Sequence, residues 1–366
     1  MIYLDFNATT PVLPEVWHAM QPYFTDTFGN PASAHRAGSK ARQALENARE
    51  QIAHLLGAYA DEVIFTSGAT EANNLALFGL AGDPPGVILS SLLEHPCVIE
   101  PLQQLVRRGF EIRWLPSSSP SPRLCCLMLV NHETGAIQPV RELASQLPAE
   151  TLFHCDAAQA VGKIPVHFHD LGVTSLTVSG HKFHAPKGIG LLLLKRGVKL
   201  SPLLWGGHQQ QGLRPGTESP ALAVGIATAL ELAQKRMRQS FETVRTLKQR
   251  FIEVLRTEAE PVVINGPLDE SQASPYVANA SFPGCRAELL LMKLDLAGVA
   301  CSTGSACSSG SLLPSPVLKA MGVPDEVLLS AMRFSFNPLL TEADVVEAAR
   351  RIVKAVKELR SNDCER

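Results

Sequence analysis

Ser179-Gly180-His181-Lys182 follows an apolar run, Leu176-Thr177-Val178, and leads into Pro186-Lys187-Gly188-Ile189-Gly190. A lysine in a polar turn is ordinarily a solvated surface residue. The residues upstream change that. Phe153-His154-Cys155-Asp156 reads as a buried strand ending in a carboxylate, with Gln159 one turn later. A lysine amine forms a Schiff base with an aldehyde. A strand-end aspartate keeps a pyridine nitrogen protonated, so that the ring acts as an electron sink. Lys182 and Asp156 are therefore the pair that pyridoxal 5'-phosphate chemistry requires.

A second chemistry is written further on. Residues 302–310, from Ser302 to Gly310, are small and polar and surround Cys307. Such a segment packs no core, so Cys307 is expected on an exposed loop, where an accessible thiol becomes a nucleophile. Cys301 follows Val299-Ala300 and is expected to be buried. Arg333 offers a planar fork suited to a carboxylate. A surface ion pair is its plainer reading, but Phe334 and Phe336 suggest a strand leading inward. Thr70 and Glu71 open a helix after the Ser67-Gly68 turn, where backbone amides can cradle a phosphate. A plain N-cap by Ser67 or Thr70 is the competing reading. Taken alone, His95 before Pro96, and Thr217 in Arg214-Pro215-Gly216-Thr217, read as turn residues.

The elements that must hold these groups alternate from about residue 62. Short β-rich runs lie at 63–66, 87–90, 111–115, 124–130, 152–155, 176–179 and 190–194. Helical periods, such as 69–80 and 96–107, fall between several of them. Seven strands with interleaved helices predict a mostly parallel α/β sheet. Residues from Pro220 to about Glu258 form one long, nearly Gly-free helical stretch leading into a second domain. There, 277–282 and 299–301 read as strands, and 287–296 and 342–359 as helices. The expected division is a large domain over 13–240 and a smaller α+β domain built from 1–12 and 241–366.

Composition narrows the function class. The 366 residues are 45% hydrophobic, 19% charged and 6% aromatic, as in a globular enzyme. A net charge of −2 gives no field to recruit nucleic acid or anionic lipid. The start, Met1-Ile2-Tyr3-Leu4-Asp5, has no secretion-signal pattern, and the longest apolar run, 189–194, is too short for a membrane span. None of the eight cysteines forms a Cys-x-x-Cys pair. A cytoplasmic, reduced protein without a zinc ribbon is expected.

With Asp156-Ala157-Ala158-Gln159 and Ser179-Gly180-His181-Lys182, the chain resembles the class V aminotransferase family. Its cysteine desulfurase branch is resembled by eight ordered motifs between residue 2 and about 340. They include 4–11, Gly29-Asn30-Pro31-Ala32-Ser33, 65–71, Glu94-His95, 214–217, Ser305-Ala306-Cys307 and Arg333-Phe334-Ser335. The resemblance implies the pyridoxal-phosphate fold type I and cleavage of L-cysteine to L-alanine, with the sulfur left as a persulfide on Cys307 for an acceptor protein. It implies that Lys182 binds the cofactor and moves protons, Asp156 pairs with the ring nitrogen, and Gln159 with the ring oxygen. His95 would stack on the ring. Ala69, Thr70, Ser179 and His181 would hold the phosphate. Thr217 would reach the phosphate of a partner subunit, which implies a homodimer. Arg333, assisted by Asn30, would take the substrate carboxylate.

Three departures accompany the match. His132 stands where relatives have the second Asn of Asn-Asn-Glu, so an imidazole would approach the ring oxygen. The Ser/Pro patch at 116–122 replaces an extra helix. The chain stops soon after Leu359, where relatives that load iron–sulfur scaffolds continue into a docking tail, so a different acceptor is expected. Selenocysteine cleavage or amino transfer are the alternatives within the family, and retention of Cys307 argues against both. A desulfurase serving tRNA or DNA sulfur modification is a further alternative. A partner-regulating protein with a decayed site is disfavoured, because Lys182, Asp156, Gln159 and Arg333 are all retained.

Overall fold

The computed structural model describes residues 1–117, 119, 121–267, 269–304 and 314–363. The chain forms two compact units. The larger comprises 10–129 and 138–237, and the smaller 1–9, 130–137 and 238–366. The described strands are, in chain order, β1 (Ile2–Tyr3), β2 (Val63–Thr66), β3 (Val87–Ser90), β4 (Glu111–Trp114), β5 (Leu124–Met128) and β6 (Leu152–Asp156). They continue with β7 (Ser175–Ser179), β8 (Gly190–Leu194), β9 (Val263–Asn265), β10 (Val277–Ser281), β11 (Val299–Ala300) and β12 (Ala331–Ser335).

The larger unit is built on a seven-stranded sheet in the order β2-β8-β7-β6-β5-β3-β4. β8 runs antiparallel to both its neighbours, and the other pairs are parallel. Strands β5 to β8 are buried along nearly their whole length because the sheet is covered on both faces. One cover is the helix pair Ala69–Ala81 and Pro96–Arg107, whose Leu75, Leu77, Leu80, Val98 and Leu102 pack with Ile88, Leu124 and Leu192. The helix Arg36–Leu56 ends at Gly57, whose φ of 63° is the left-handed cap that glycine adopts without penalty.

In the smaller unit β12-β10-β9 form an antiparallel sheet, and β1 lies parallel to β11. Phe251, Phe282, Phe334 and Phe336 meet at ring-centroid distances of 5.1–6.4 Å in its core. The helices Ala287–Leu296 and Glu342–Asp363 pack on the same core. The long helix Pro220–Glu258 belongs to the larger unit up to Met237 and to the smaller from Arg238.

Residues 130–137, read from sequence as part of 13–240, group with the smaller unit. The cause is pairing: Val130 bridges Ile137, Ala136 bridges Ala273, and Ser274 N donates to Gly135 O at 2.8 Å. No described helix is long and apolar enough to cross a membrane.

Candidate active site

In the larger unit β2, β3, β5, β6 and β7 point the same way, so their C-terminal ends share one edge of the sheet. Ligands of open α/β sheets bind outside that edge. After β2 comes the Ser67-Gly68 turn and the helix Ala69–Ala81. Glu71 Oε2 accepts from Ser67 N at 2.8 Å, and Thr66 Oγ1 donates to Gly68 O at 3.0 Å. Gly190 lies beneath: a Cβ there would come within 2.7 Å of Gly68 Cα, so glycine is required by close approach. Ala69 and Thr70 thus occupy the first helical turn, where amides and the helix dipole favour an anion.

β6 and β7 carry the central pair. Asp156 stands opposite Thr177 in the ladder, and β7 ends at Ser179 in a short 3₁₀ turn, Gly180–Lys182. The turn is held from several sides. Phe183 N and Ala185 N both donate to Gly180 O at 3.1 Å. Thr10 N and Thr10 Oγ1 both donate to His181 O at 3.0 Å, and Thr10 Oγ1 accepts from His184 N at 2.8 Å. Lys182 is half-buried. Burial, with Lys182, Lys187 and Lys163 adding to it, lowers His181 to about 4, so its imidazole is neutral and can donate without a charge.

Asp156 is buried, and both of its oxygens are fixed. Oδ1 accepts from Ala158 N at 2.9 Å, and Oδ2 from Asn73 Nδ2 at 2.8 Å. Gln159 Oε1 accepts from Lys163 Nζ at 2.7 Å, which leaves the amide nitrogen as its donor group. His95 is the N-cap of the helix Pro96–Arg107, its Nδ1 accepting from Cys97 N at 3.1 Å, so the turn role expected for an isolated histidine is also fulfilled. Glu94 is buried with Oε1 accepting from Met128 N at 2.8 Å. Burial, with the Asp156 charge adding to it, raises it far above the usual carboxylate range.

Sequence reasoning missed Asn73, His154, Lys163 and Glu94. A signal existed for two of them. Asn73 is a polar residue inside an otherwise apolar helical face. His154 shares a strand face with Asp156, two residues away.

Thr217 is exposed. Its segment is anchored by Arg214, which reaches Glu71 with Nε at 2.7 Å and Nη2 at 3.2 Å. Asn30 is exposed, and its Oδ1 accepts from Ala32 N.

In the smaller unit Arg333 is buried on β12, and its Nη2 donates to Asp5 Oδ1 at 3.1 Å. Its Nε has no hydrogen-bond partner among the described residues. His132 is buried, with Nε2 3.6 Å from Glu133 Oε1 and its carbonyl accepting from Asn7 Nδ2 at 3.3 Å. Glu133 Oε2 accepts from Ser315 Oγ at 2.5 Å. Cys301 packs against the core, and burial pushes its thiol up to about 12. Cys307 lies outside the described residues, as do Ser118 and Pro120 of the 116–122 patch and residues 364–366 of the tail.

Known proteins are similar to this chain in sequence and fold. Residues 2–347 match the family described as Aminotransferase class-V. A cysteine desulfurase IscS of Dictyoglomus turgidum is 40% identical over 97% of this chain and 95% of its own length. Among solved structures, a NifS-like protein superposes with a TM-score of 0.90 at 31% identity, covering 98% of this chain and 99% of that one. SspA in complex with cysteine superposes with a TM-score of 0.80 at 31% identity, covering 92% and 99%.

Proposed function

The chain belongs to the class-V aminotransferase family and is a cysteine desulfurase, and from that premise we propose which residues do its work. L-cysteine and an enzyme thiol give L-alanine and an enzyme persulfide. The substrate C–S bond breaks, an S–S bond forms on the enzyme, and a proton takes the place of sulfur on carbon.

The observation that carries the assignment is that Asp156 and Lys182 leave the same edge of adjacent parallel strands, β6 and β7. The donor set fits pyridoxal phosphate: a fixed carboxylate, a half-buried amine one strand away, and a helix N-terminus on the same edge. Bound there, the cofactor supplies an electron sink at the substrate α-carbon. Lys182 holds it through its amine and moves protons at that carbon. Asp156 keeps the ring nitrogen protonated. Gln159 donates its amide to the ring oxygen, and His132 is the second group assigned there. His95 covers the ring face. Ala69 and Thr70 with their amides, Ser179, and neutral His181 hold the phosphate.

Arg333 takes the substrate carboxylate, assisted by Asn30. Its buried Nε, a donor without a partner among the described residues, supports this role. Cys307 is the sulfur-accepting thiol. The six described cysteines support that choice by their burial: five are buried and Cys301 half-buried. A thiol raised to about 12, as in Cys301 and Cys125, stays protonated at neutral pH.

The enzyme works as a homodimer in which Thr217 completes the partner's phosphate site. Leu204 and Trp205, exposed in the same part of the chain, support a buried interface there; Trp205 is 86% exposed in the single chain. The sulfur acceptor is a protein, and the reaction takes place in the cytoplasm. Borohydride reduction of the yellow protein and peptide mapping test the central assignment. The label should lie on Lys182, and a label on Lys163 or Lys187 would overturn it.

A further inference from the structure

Asn73 is fully buried in the helix Ala69–Ala81, and its amide is engaged on every side. Nδ2 donates to Asp156 Oδ2 at 2.8 Å and to Cys97 Sγ at 3.0 Å. Oδ1 lies 2.9 Å from His154 Nε2. The orientation is fixed by chemistry: a flipped amide would set its oxygen against the Asp156 carboxylate. Asn73 Oδ1 must then accept, so His154 carries its proton on Nε2. His154 Nδ1 in turn accepts from Ser175 Oγ at 2.8 Å. His154 and Ser175 are both fully buried, and burial lowers His154 to about 3, so this imidazole stays neutral at working pH.

The other arm of the amide reaches His95. Cys97 Sγ lies 2.9 Å from His95 Nδ1, which also accepts from Cys97 N. Nδ1 therefore faces donors, and the proton of a neutral His95 belongs on Nε2. One buried amide thus touches the carboxylate assigned to the ring nitrogen and, through a thiol, the histidine assigned to the ring face.

We propose that Asn73 is a positioning residue that fixes Asp156 and, through Cys97, His95 in one arrangement around the cofactor ring, with His154 and Ser175 setting the orientation of Asn73 itself. This rests on the reading that Lys182 carries the cofactor and Asp156 faces its ring nitrogen. Removing the donated N–H leaves Asp156 with one fixed oxygen and a looser hold on the ring nitrogen. That change is read by the chromophore rather than by fold stability.

The test is a pH titration of the visible absorbance of purified holoprotein. Asn73→Leu should move the midpoint of the lysine-bound chromophore by about one pH unit. It should also weaken retention of pyridoxal phosphate by about 10- to 100-fold, the range of a hydrogen bond to a charged group. His154→Gln, which keeps a donor toward Asn73 Oδ1, should stay close to the parent. If Asn73→Leu does not fold, Asn73→Asp keeps the side-chain volume, replaces the donor with a second carboxyl, and should also move the midpoint. A folded Asn73 variant with an unmoved midpoint overturns the inference. Lys182→Ala separates the two readings: cofactor that borohydride still fixes to a lysine in that variant overturns the cofactor assignment itself.

Discussion

Ser302 and Arg333 exchange both backbone hydrogen bonds, Ser302 N to Arg333 O at 3.2 Å and Arg333 N to Ser302 O at 2.7 Å. The root of the segment that carries Cys307 is therefore fixed to the strand that carries the guanidinium. Cys307 follows Ser302 by five positions, a span of at most about 18 Å for an extended chain. The residue proposed for the substrate carboxylate therefore sits on a strand whose backbone also pairs with the start of that segment.

Arg333→Lys keeps the charge and removes the fork. The loss of a bidentate contact should raise KM for L-cysteine by about tenfold or more. The absorbance of the bound cofactor should be unchanged, because Arg333 is assigned to substrate alone. Steady-state kinetics beside a visible spectrum check both halves. An unchanged KM would remove Arg333 from the carboxylate site.

Cys307→Ala should separate cofactor chemistry from sulfur transfer. The protein should remain yellow and still bind cysteine, while persulfide formation and alanine release fall to background. Cys301→Ala should stay near the parent, because that thiol is packed in the core and raised to about 12. Sulfide release that depends on Cys301 instead would reassign the thiol.

Thr217 is exposed on a segment anchored by the Arg214–Glu71 pair. If it serves the partner's phosphate, inactive Lys182→Ala subunits mixed with inactive Thr217→Val subunits should regain activity through hybrid dimers that hold one intact site. Activity assays after subunit exchange, with sedimentation to confirm the dimer, measure this. A fully active monomer would contradict it.

Glu133 predicts a pH effect on stability. Burial pushes its carboxyl up to about 7, against the pull of Ser315 and Arg333, from an ordinary value of 4.5. A carboxyl raised in the folded state binds its proton more tightly there. Its contribution is full below about pH 4.5 and is lost as pH rises through about 7. Glu133→Gln removes the ionisation and keeps a group that can bond Ser315. The Tm of the variant relative to the parent should rise between about pH 5 and about pH 8. A pH-independent difference would show that Glu133 does not titrate in that window.

The sequence by itself determined the local parts. Short β-rich runs marked the strands that lead to Asp156 and Lys182, and the Gly-poor stretch marked the helix Pro220–Glu258, because such runs and helical period are short-range signals. Tertiary structure alone decided the partners. Asn73 donates to a carboxylate 83 residues away, and Arg333 pairs with Asp5 across 328 residues. Glu133 meets Ser315 at the far side of the Cys307 segment, and a Cβ on Gly304, at the near side, would collide with its carboxylate. Residues 130–137 fall inside the large domain expected over 13–240, yet their bridges to each other and to Ala273 place them in the other unit. Which side chains face one another depends on the order in which strands pair and on where each helix is laid across them. Neither is encoded in the spacing of residues within one element, so the acid, the amine and the arginine were visible in the sequence while the amide, the imidazole and the carboxylates that hold them were not.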